Sequence, residues 1–300
     1  MPYARFGLQT LLLRSLDKLD LILITDTSDD RQKLERVAGN LENPRMHRLQ
    51  VIAEEELADA EASVFGPRAN LRNFRHGHPC WRKITDPLLI GGPGEEAVIL
   101  DPDLYFPNFF RFEPPPLSGL LLMWQRPNCL LPAEVVQAAM RAGIGLAQQV
   151  DIGVAQWRTS ADLDWLDWLL GKLGGAALPR AMHVEAIVWA AIAMREGGGY
   201  LDPHYWLCWR RTPAKRILRK LGVSGRWVLQ SEPWHCIKGF HAGGEAKWWL
   251  GEIQKQTREI ANFPEPGKVI PFVELTPAVY QREEARKRAV RRLDLFKLLR

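Results

Sequence analysis

The run Ala97-Val-Ile-Leu100 stops at Asp101-Pro-Asp103, and that junction constrains the fold more than any other stretch of the chain. Four β-prone apolar residues read as a buried strand, and two acids around a proline end it in a turn. Two earlier runs have the same form: Asp20-Leu-Ile-Leu-Ile-Thr25, stopped by Asp26-Thr-Ser-Asp-Asp30, and Arg48-Leu-Gln-Val-Ile52. Helical patterns lie between them. Leucines recur at helical spacing over residues 3–19, residues 31–38 read as a polar helix, and residues 81–90 give a turn or two of helix before Gly91-Gly-Pro-Gly94. Helix and strand in this alternation predict an α/β sheet whose ligand end lies past the strand C-termini. The acidic pair falls at such an end.

Further along, residues 117–124 read as a strand and residues 132–142 as a helix opening after a proline. Residues 149–157 alternate loosely around Gly153. Residues 162–173 carry Leu163, Leu166, Leu169 and Leu173 on one helical face, and residues 183–195 form a buried helix ended by Gly197-Gly-Gly199. Short strands are expected at 227–230 and 235–240, before Ala242-Gly-Gly244. Pro264-Glu-Pro-Gly267 and Pro271 mark an extended linker, so the expected organisation is one α/β domain over residues 1–262, then a linker and a basic amphipathic helix over 263–300. No internal repeat or low-complexity segment interrupts this.

Hydrophobic residues at 46% and charged residues at 25% are those of a folded globular chain, which excludes disorder, a fibre or a coiled coil for the whole molecule. No apolar run reaches the roughly 18–20 residues of a membrane span, and the N-terminus has no leader pattern, so a cytoplasmic protein is expected. The four cysteines stand apart with no C-x-x-C pair, which fits a reducing compartment and argues against a zinc ribbon. The net charge of +5 is local: residues 281–300 hold eight basic and three acidic residues, and residues 203–231 hold seven basic residues and no acid. The remainder is net acidic, unlike a surface built for nucleic acid, and no nucleic-acid partner is expected.

Asp101 and Asp103, in alternate positions at a strand end, can share one divalent cation, and a hard cation held by oxygens can in turn hold a diphosphate. The same tripeptide also forms ordinary turns. A second motif, His241-Ala-Gly-Gly244-Glu-Ala-Lys247, joins an imidazole, two glycines whose amides can approach an anion, and a lysine suited to phosphate. Lys83, beside Arg82 on the helix leading towards Asp101, is a candidate for the same anion. Asp86, one turn on, is a candidate for a donor hydroxyl or for Arg82. His76-Gly-His78-Pro-Cys80 lacks a fourth ligand at zinc-like spacing and reads as a turn. Trp157, Trp165, Trp168 and Trp189 sit in core patterns, whereas one of Trp248 and Trp249 is expected to pack beneath the Lys247 loop.

On these two motifs the chain resembles the retaining glycosyltransferase family that contains glycogenin and bacterial lipooligosaccharide galactosyltransferases. The resemblance implies an A-type glycosyltransferase fold, a central mixed sheet flanked by helices. It further implies that Asp101, Asp103 and His241 ligate Mn²⁺ or Mg²⁺, while Gly244 and Lys247 meet the diphosphate of a nucleotide-sugar. Val150-Asp-Ile-Gly-Val-Ala155 resembles the family's Phe-Asn-x-Gly-Val stretch, which would turn Asp151 to the donor sugar. Glu185-Ala186 stands where the family has Asp-Gln, making Glu185 and Asp151 the catalytic candidates. Tyr3 and the helix after it resemble the family's base-binding tyrosine and helix, without the strand that precedes them there.

The function expected is therefore metal-assisted, retaining transfer of a sugar from a UDP-linked donor to a cell-surface glycan or glycolipid. A nucleotidyltransferase, or a non-catalytic protein on the same fold that binds a membrane or a partner, are the alternatives. The aromatic and basic block between Arg210 and Lys220, with the C-terminal helix presenting Val290, Leu293, Phe296 and Leu299, suits an anionic membrane surface on the inner face of the bilayer.

Overall fold

Residues 2–159, 161–210, 212–253 and 260–292 are described by the computed structural model. Helix α1 (Pro2–Arg14) is followed by strand β1 (Asp20–Thr25), helix α2 (Ser28–Gly39) and strand β2 (Arg48–Ala53), which pairs with β1 in parallel. Thr27 caps α2 by accepting from the Asp30 amide, with Asp29 and Asp30 in the first turn, where acids suit the helix dipole. Three helices, α3 (Ala58–Phe65), α4 (Ala69–Arg75) and α5 (Arg82–Ile90), then lead to β3 (Glu96–Leu100). The short strands β4 (Leu104–Tyr105) and β5 (Phe109–Phe110) precede β6 (Leu120–Trp124), α6 (Ala133–Arg141) and β7 (Val150–Arg158). After α7 (Leu163–Leu173) and α8 (Val184–Glu196) come β8 (Gly198–Tyr200), β9 (Trp206–Cys208), α9 (Pro213–Lys220), α10 (Gly225–Gln230) and β10 (Gly239–His241). The described chain closes with α11 (Leu250–Ile253), β11 (Asn262–Phe263), β12 (Ile270–Pro271) and α12 (Pro277–Arg292).

A five-stranded mixed sheet, in the order β12-β8-β6-β7-β3, forms the centre. β6 runs parallel to β8 and antiparallel to β7. Its sequence Leu-Leu-Leu-Met-Trp is apolar on both faces because both faces are covered. Leu120 and Leu122 join Val150, Ala155 and Trp157 of β7 under helices α4 to α8, while Leu121 and Met123 point the other way, with Val154, towards α1 and the short strands. Helix α8 is buried almost end to end, and its Trp189 meets Trp157 edge to face at a centroid separation of 5.3 Å. Each such side chain, fully withdrawn from water, contributes roughly 1.5–3 kcal/mol.

The second layer is a small sheet in the order β4-β10-β9, with β10 antiparallel to β4 and parallel to β9. Beside it a fully buried Lys238 lies 2.9 Å from Glu113 and donates to the carbonyls of Arg111 and Glu265. Glu113 also accepts from Trp206 Nε1 and from the Gly267 amide. With every polar atom of the ammonium engaged, its charge is tolerated in the interior, and removal of one partner would strand the other. β1 pairs only with β2 and β3 only with β7 among the described residues, so the N-terminal pair stands apart from the central sheet.

The mixed α/β architecture agrees with the expectation from sequence, and several local features differ. β1, expected to be buried, pairs only with β2 among the described residues and alternates between exposed and half-buried, with Ile22 and Ile24 at 38% and 39% exposure. Residues 227–230 are helical, in α10, because Ser224 caps the turn by accepting from the Trp227 amide, and Val228 and Leu229 face inward. The strand expected at 235–240 shrinks to β10, since Trp234–Cys236 makes a tight turn after Pro233. The strand expected from residue 117 starts at Leu120, after Gly119 at φ +94°, and Leu117 is 94% exposed. Within the segment expected to be a linker, β11 pairs with β5, β12 pairs with β8 at the edge of the central sheet, and the Leu275 amide donates to Leu146. Tyr280 of α12 is buried in the main core. Leu293, Phe296 and Leu299 of the expected apolar stripe, and the side chain of Val290, lie outside the described residues.

The turn from α8 into β8 depends on glycine. Gly198 has φ +106°, and a Cβ there would lie 2.0 Å from the Leu120 carbonyl oxygen. Gly198→Ala is expected to destabilise the fold by more than about 2 kcal/mol, combining backbone strain with a clash against backbone, as read by chemical denaturation.

Candidate metal and anion site

β10 holds His241 between two neighbours, in register with Leu104 of β4 and Cys208 of β9. The Ala242 amide donates to the Asp103 carbonyl at 3.0 Å, and the Asp101 amide to the Gly153 carbonyl at 2.9 Å. These two backbone bonds tie the Asp-Pro-Asp turn to β10 on one side and to β7 on the other. As a result His241 Nε2 lies 3.3 Å from Asp103 Oδ1 and 3.4 Å from Asp101 Oδ2. Ligand atoms of the three side chains all fall within 4.8 Å of one another.

A bulge in β7 brings in a third carboxylate. Against β6, Leu122 is paired with Ala155 but Met123 with Asp151, so residues 152–154 bow out of that ladder. Asp151 Oδ1 thereby reaches His241 Nδ1 at 2.7 Å and accepts from the Gly153 amide at 2.9 Å. Gly153 itself seats the imidazole. A Cβ at residue 153 would lie 2.6 Å from His241 Cγ, inside any real contact.

Charge distribution follows from this packing. Burial works against a charged His241, but Asp151 and Asp103 outweigh it and raise the imidazole well above its ordinary range. Burial likewise opposes ionisation of Asp103 and Asp151; His241, with Lys247 for Asp103 and the Gly153 amide for Asp151, holds both carboxyls low. An ionised Asp151 can only accept, so His241 Nδ1 carries the proton and Nε2 is the atom turned to Asp101 and Asp103. Cys208 lies behind, its thiol pushed up by burial and by Asp151.

The donor set fits a divalent cation. Two carboxylates and an imidazole suit Mn²⁺ or Mg²⁺ better than a soft metal. The spacings of 3.3 and 3.4 Å are close to the roughly 3 Å between adjacent ligands about 2.1 Å from an octahedral ion. A buried carboxylate on the far imidazole nitrogen is the arrangement that orients a ligating histidine.

Two lysines flank the carboxylates. Lys247 Nζ lies 3.6 Å from Asp103 Oδ2 and 5.0 Å from the centre of the Tyr3 ring. Tyr3 in turn meets Trp248 edge to face, Trp248 being 61% exposed, while Trp249 packs inward against Trp209. Thus Tyr3, Lys247 and the acidic pair, far apart in sequence, come together. Lys83 lies 2.6 Å from Asp101 and 2.9 Å from Glu185. Burial disfavours its charge, but those two carboxylates hold it protonated. Glu185 is fully buried behind Lys83, and burial pushes its carboxyl up to about 8. Gly244 forms the turn after β10 at φ +66°, where a left-handed backbone favours glycine.

Asp86 is not brought into this group. It is 1% exposed and bound to Arg75 at 2.8 Å, while Arg82 reaches instead to Asp26 and Glu54. His76 and His78 do not converge either: His76 bonds Glu61, and His78 accepts from the Cys80 amide. Among the described residues the clusters able to hold an ion both centre on His241. Sequence reasoning missed Cys208 as a neighbour of the imidazole and Lys83 as the link between Asp101 and Glu185. No local signal marks either, because each contact is made between separate elements.

Fold and side chains together define a mixed α/β protein with a carboxylate and imidazole cluster at strand ends. No family model matches the chain, and no curated protein matches it. Among solved structures, the crystal structure of mouse xyloside xylosyltransferase 1 in its apo form aligns with a TM-score of 0.49 at 12% identity, covering 82% of this chain and 92% of that one. A likeness of that degree does not set a family.

The geometry gives a direct expectation for Asp151. Asp151→Asn should weaken Mn²⁺ binding, measured by calorimetric titration, about 10–100-fold, because the imidazole loses the carboxylate that fixes its tautomer. Unchanged affinity would mean that His241 is not a ligand.

Proposed function

We propose that the chain is a metal-assisted glycosyltransferase that moves a sugar from a nucleotide-sugar, UDP-linked by the motif resemblance, to a glycan or glycolipid. The observation that carries this reading is the convergence of Asp101, Asp103 and His241, with Lys247 beside Asp103, at the end of a strand. A site for a divalent cation next to a lysine is suited to a diphosphate, whose negative charge rises as it leaves the sugar. Mn²⁺ or Mg²⁺ held by Asp101, Asp103 and His241 would supply that neutralisation.

The remaining side chains have positioning work. Lys247 binds the diphosphate and is held over the buried Tyr3 ring, while Trp248, packed edge to face on Tyr3 and 61% exposed, is the aromatic surface open to the nucleoside. Asp151 was a candidate for contact with the donor sugar; its bond to His241 Nδ1 supports instead a role in holding that ligand. Glu185, the other catalytic candidate, steadies Lys83, which in turn restrains Asp101. Retention of configuration rests on the resemblance to the glycogenin family alone. All four cysteines are unpaired, which suits a reducing compartment such as the cytoplasm.

The test is release of UDP from a panel of UDP-hexoses. Turnover should require Mn²⁺ or Mg²⁺ and stop with a chelator. It should fall at least about a hundredfold in Asp103→Asn, and Lys247→Ala should lower kcat on the order of 10²–10³-fold, as for loss of one donor to a developing anion. Absence of turnover with every metal and sugar would favour a non-catalytic protein on this fold. Release of pyrophosphate from UTP and a sugar phosphate would favour a nucleotidyltransferase.

A further inference from the structure

Helix α9 is built inside out. Two of its cations face the protein: Lys215 lies 4.1 Å from the centre of the Trp209 ring and pairs with Glu232, and Arg219 stacks 4.8 Å from the Trp249 ring and donates to the Val223 carbonyl. Its apolar residues face water. Ala214, Ile217, Leu218 and Leu221 follow the i, i+3, i+4, i+7 spacing of a single face, and Ile217, Leu218 and Leu221 are 47%, 42% and 75% exposed. No residue of α9 is buried. α10, which packs against α9, adds Trp227 at 69% exposure. Lone exposed apolar residues need no explanation, but a full stripe on an amphipathic helix turned outwards, with a tryptophan on the next element, does.

The surroundings indicate what the stripe meets. Arg210, Lys220 and Arg226 of the same segment are exposed, Arg210 lying 4.9 Å from the centre of the Trp124 ring, and no acid occurs over residues 203–231. An anionic lipid surface presents uniform negative charge over an apolar interior, which matches an apolar stripe in a segment that carries cations and no acid. Among the described residues no helix is long and apolar enough to cross a membrane. We propose that the face formed by Ala214, Ile217, Leu218, Leu221 and Trp227 inserts into the headgroup region of an anionic bilayer, with Arg210, Lys220 and Arg226 over the lipid phosphates. α10 also packs against the turn that carries Lys247, so the docked surface and the candidate site are neighbours, which fits an acceptor carried on lipid. The docking itself does not depend on the chemistry proposed for that site.

The experiment is co-sedimentation of the full chain with vesicles of phosphatidylcholine containing 30% phosphatidylglycerol, and with phosphatidylcholine alone. Binding is expected to the anionic vesicles only, to fall as salt is raised, and to drop at least tenfold in the double variant Leu218→Asp, Leu221→Asp. Thermal unfolding and UDP release of that variant should match the unaltered chain, showing that the fold and site are intact. Vesicles should shift tryptophan emission to the blue, and Trp227→Phe should remove most of the shift. Failure to bind anionic vesicles, or equal binding by the double variant, overturns the proposal. So does a stable dimer that the double variant dissociates, which would make the stripe a contact between two copies. Loss of UDP release with vesicle binding intact would count against the proposed chemistry and leave the docking surface standing.

Discussion

Mutual repulsion of three carboxylates, Asp103 and Asp151 buried and Asp101 half-buried, is the constraint on which the rest of the site depends, and one imidazole that touches all three holds it in check, helped by Lys83 and Lys247 at the flanks. Asp101, Asp103 and Asp151 come from two different elements, and each approaches His241 within 3.4 Å. In a low-dielectric interior such a group is unstable unless a positive charge stands among them. The imidazole can supply it as a cation, and a divalent ion can take over that role, leaving His241 neutral and ligating through Nε2. The cluster is thus prepared for an ion without being allowed to collapse in its absence. β10 makes this possible by lying between β4 and β9, which fixes the histidine from both sides.

Preparation of the site is costly in local regularity. β7 abandons its ladder with β6 over residues 152–154, and residue 153 has no side chain because the ring of His241 occupies the space. The central sheet tolerates this break because it is covered on both faces. Leucines of β6 are shared between two separate apolar clusters, so loss of a few backbone bonds in β7 is offset by packing above and below.

The sequence made part of this legible. The apolar run ending in Asp101-Pro-Asp103 and the strand before Ala242-Gly-Gly244 are local signals, and both strands and the expected turns are present around the site. Helical periodicity also located α7, and apolar runs located β1, β2 and α8, although β1 proved half-exposed where its run suggested burial. Short elements were less readable. Four residues such as 227–230 cannot show a period, and the serine cap that makes α10 helical lies just before them. Contacts across elements left no trace at all: neither the Lys83 bridge from Asp101 to Glu185 nor the engagement of Asp86 by Arg75 follows from spacing. The direction faced by α9 was hidden for a related reason, because the aromatic rings that attract its lysine and arginine lie in other segments.

The return of residues 262–275 to the body of the protein sets a boundary for anyone dissecting the chain. β11 lies along β5, Glu265 and Gly267 close the shell around the Lys238 and Glu113 pair, and β12 covers the edge of β8. Cutting at the first proline of this stretch would uncover a sheet edge and leave a buried ammonium short of a partner, so the fragment would be an injured domain and not a minimal one. What looks from its prolines like a tether works as a girdle, and a deletion meant to isolate the C-terminal helix has to begin beyond Leu275, whose amide is the last of these fastenings to the central body before that helix.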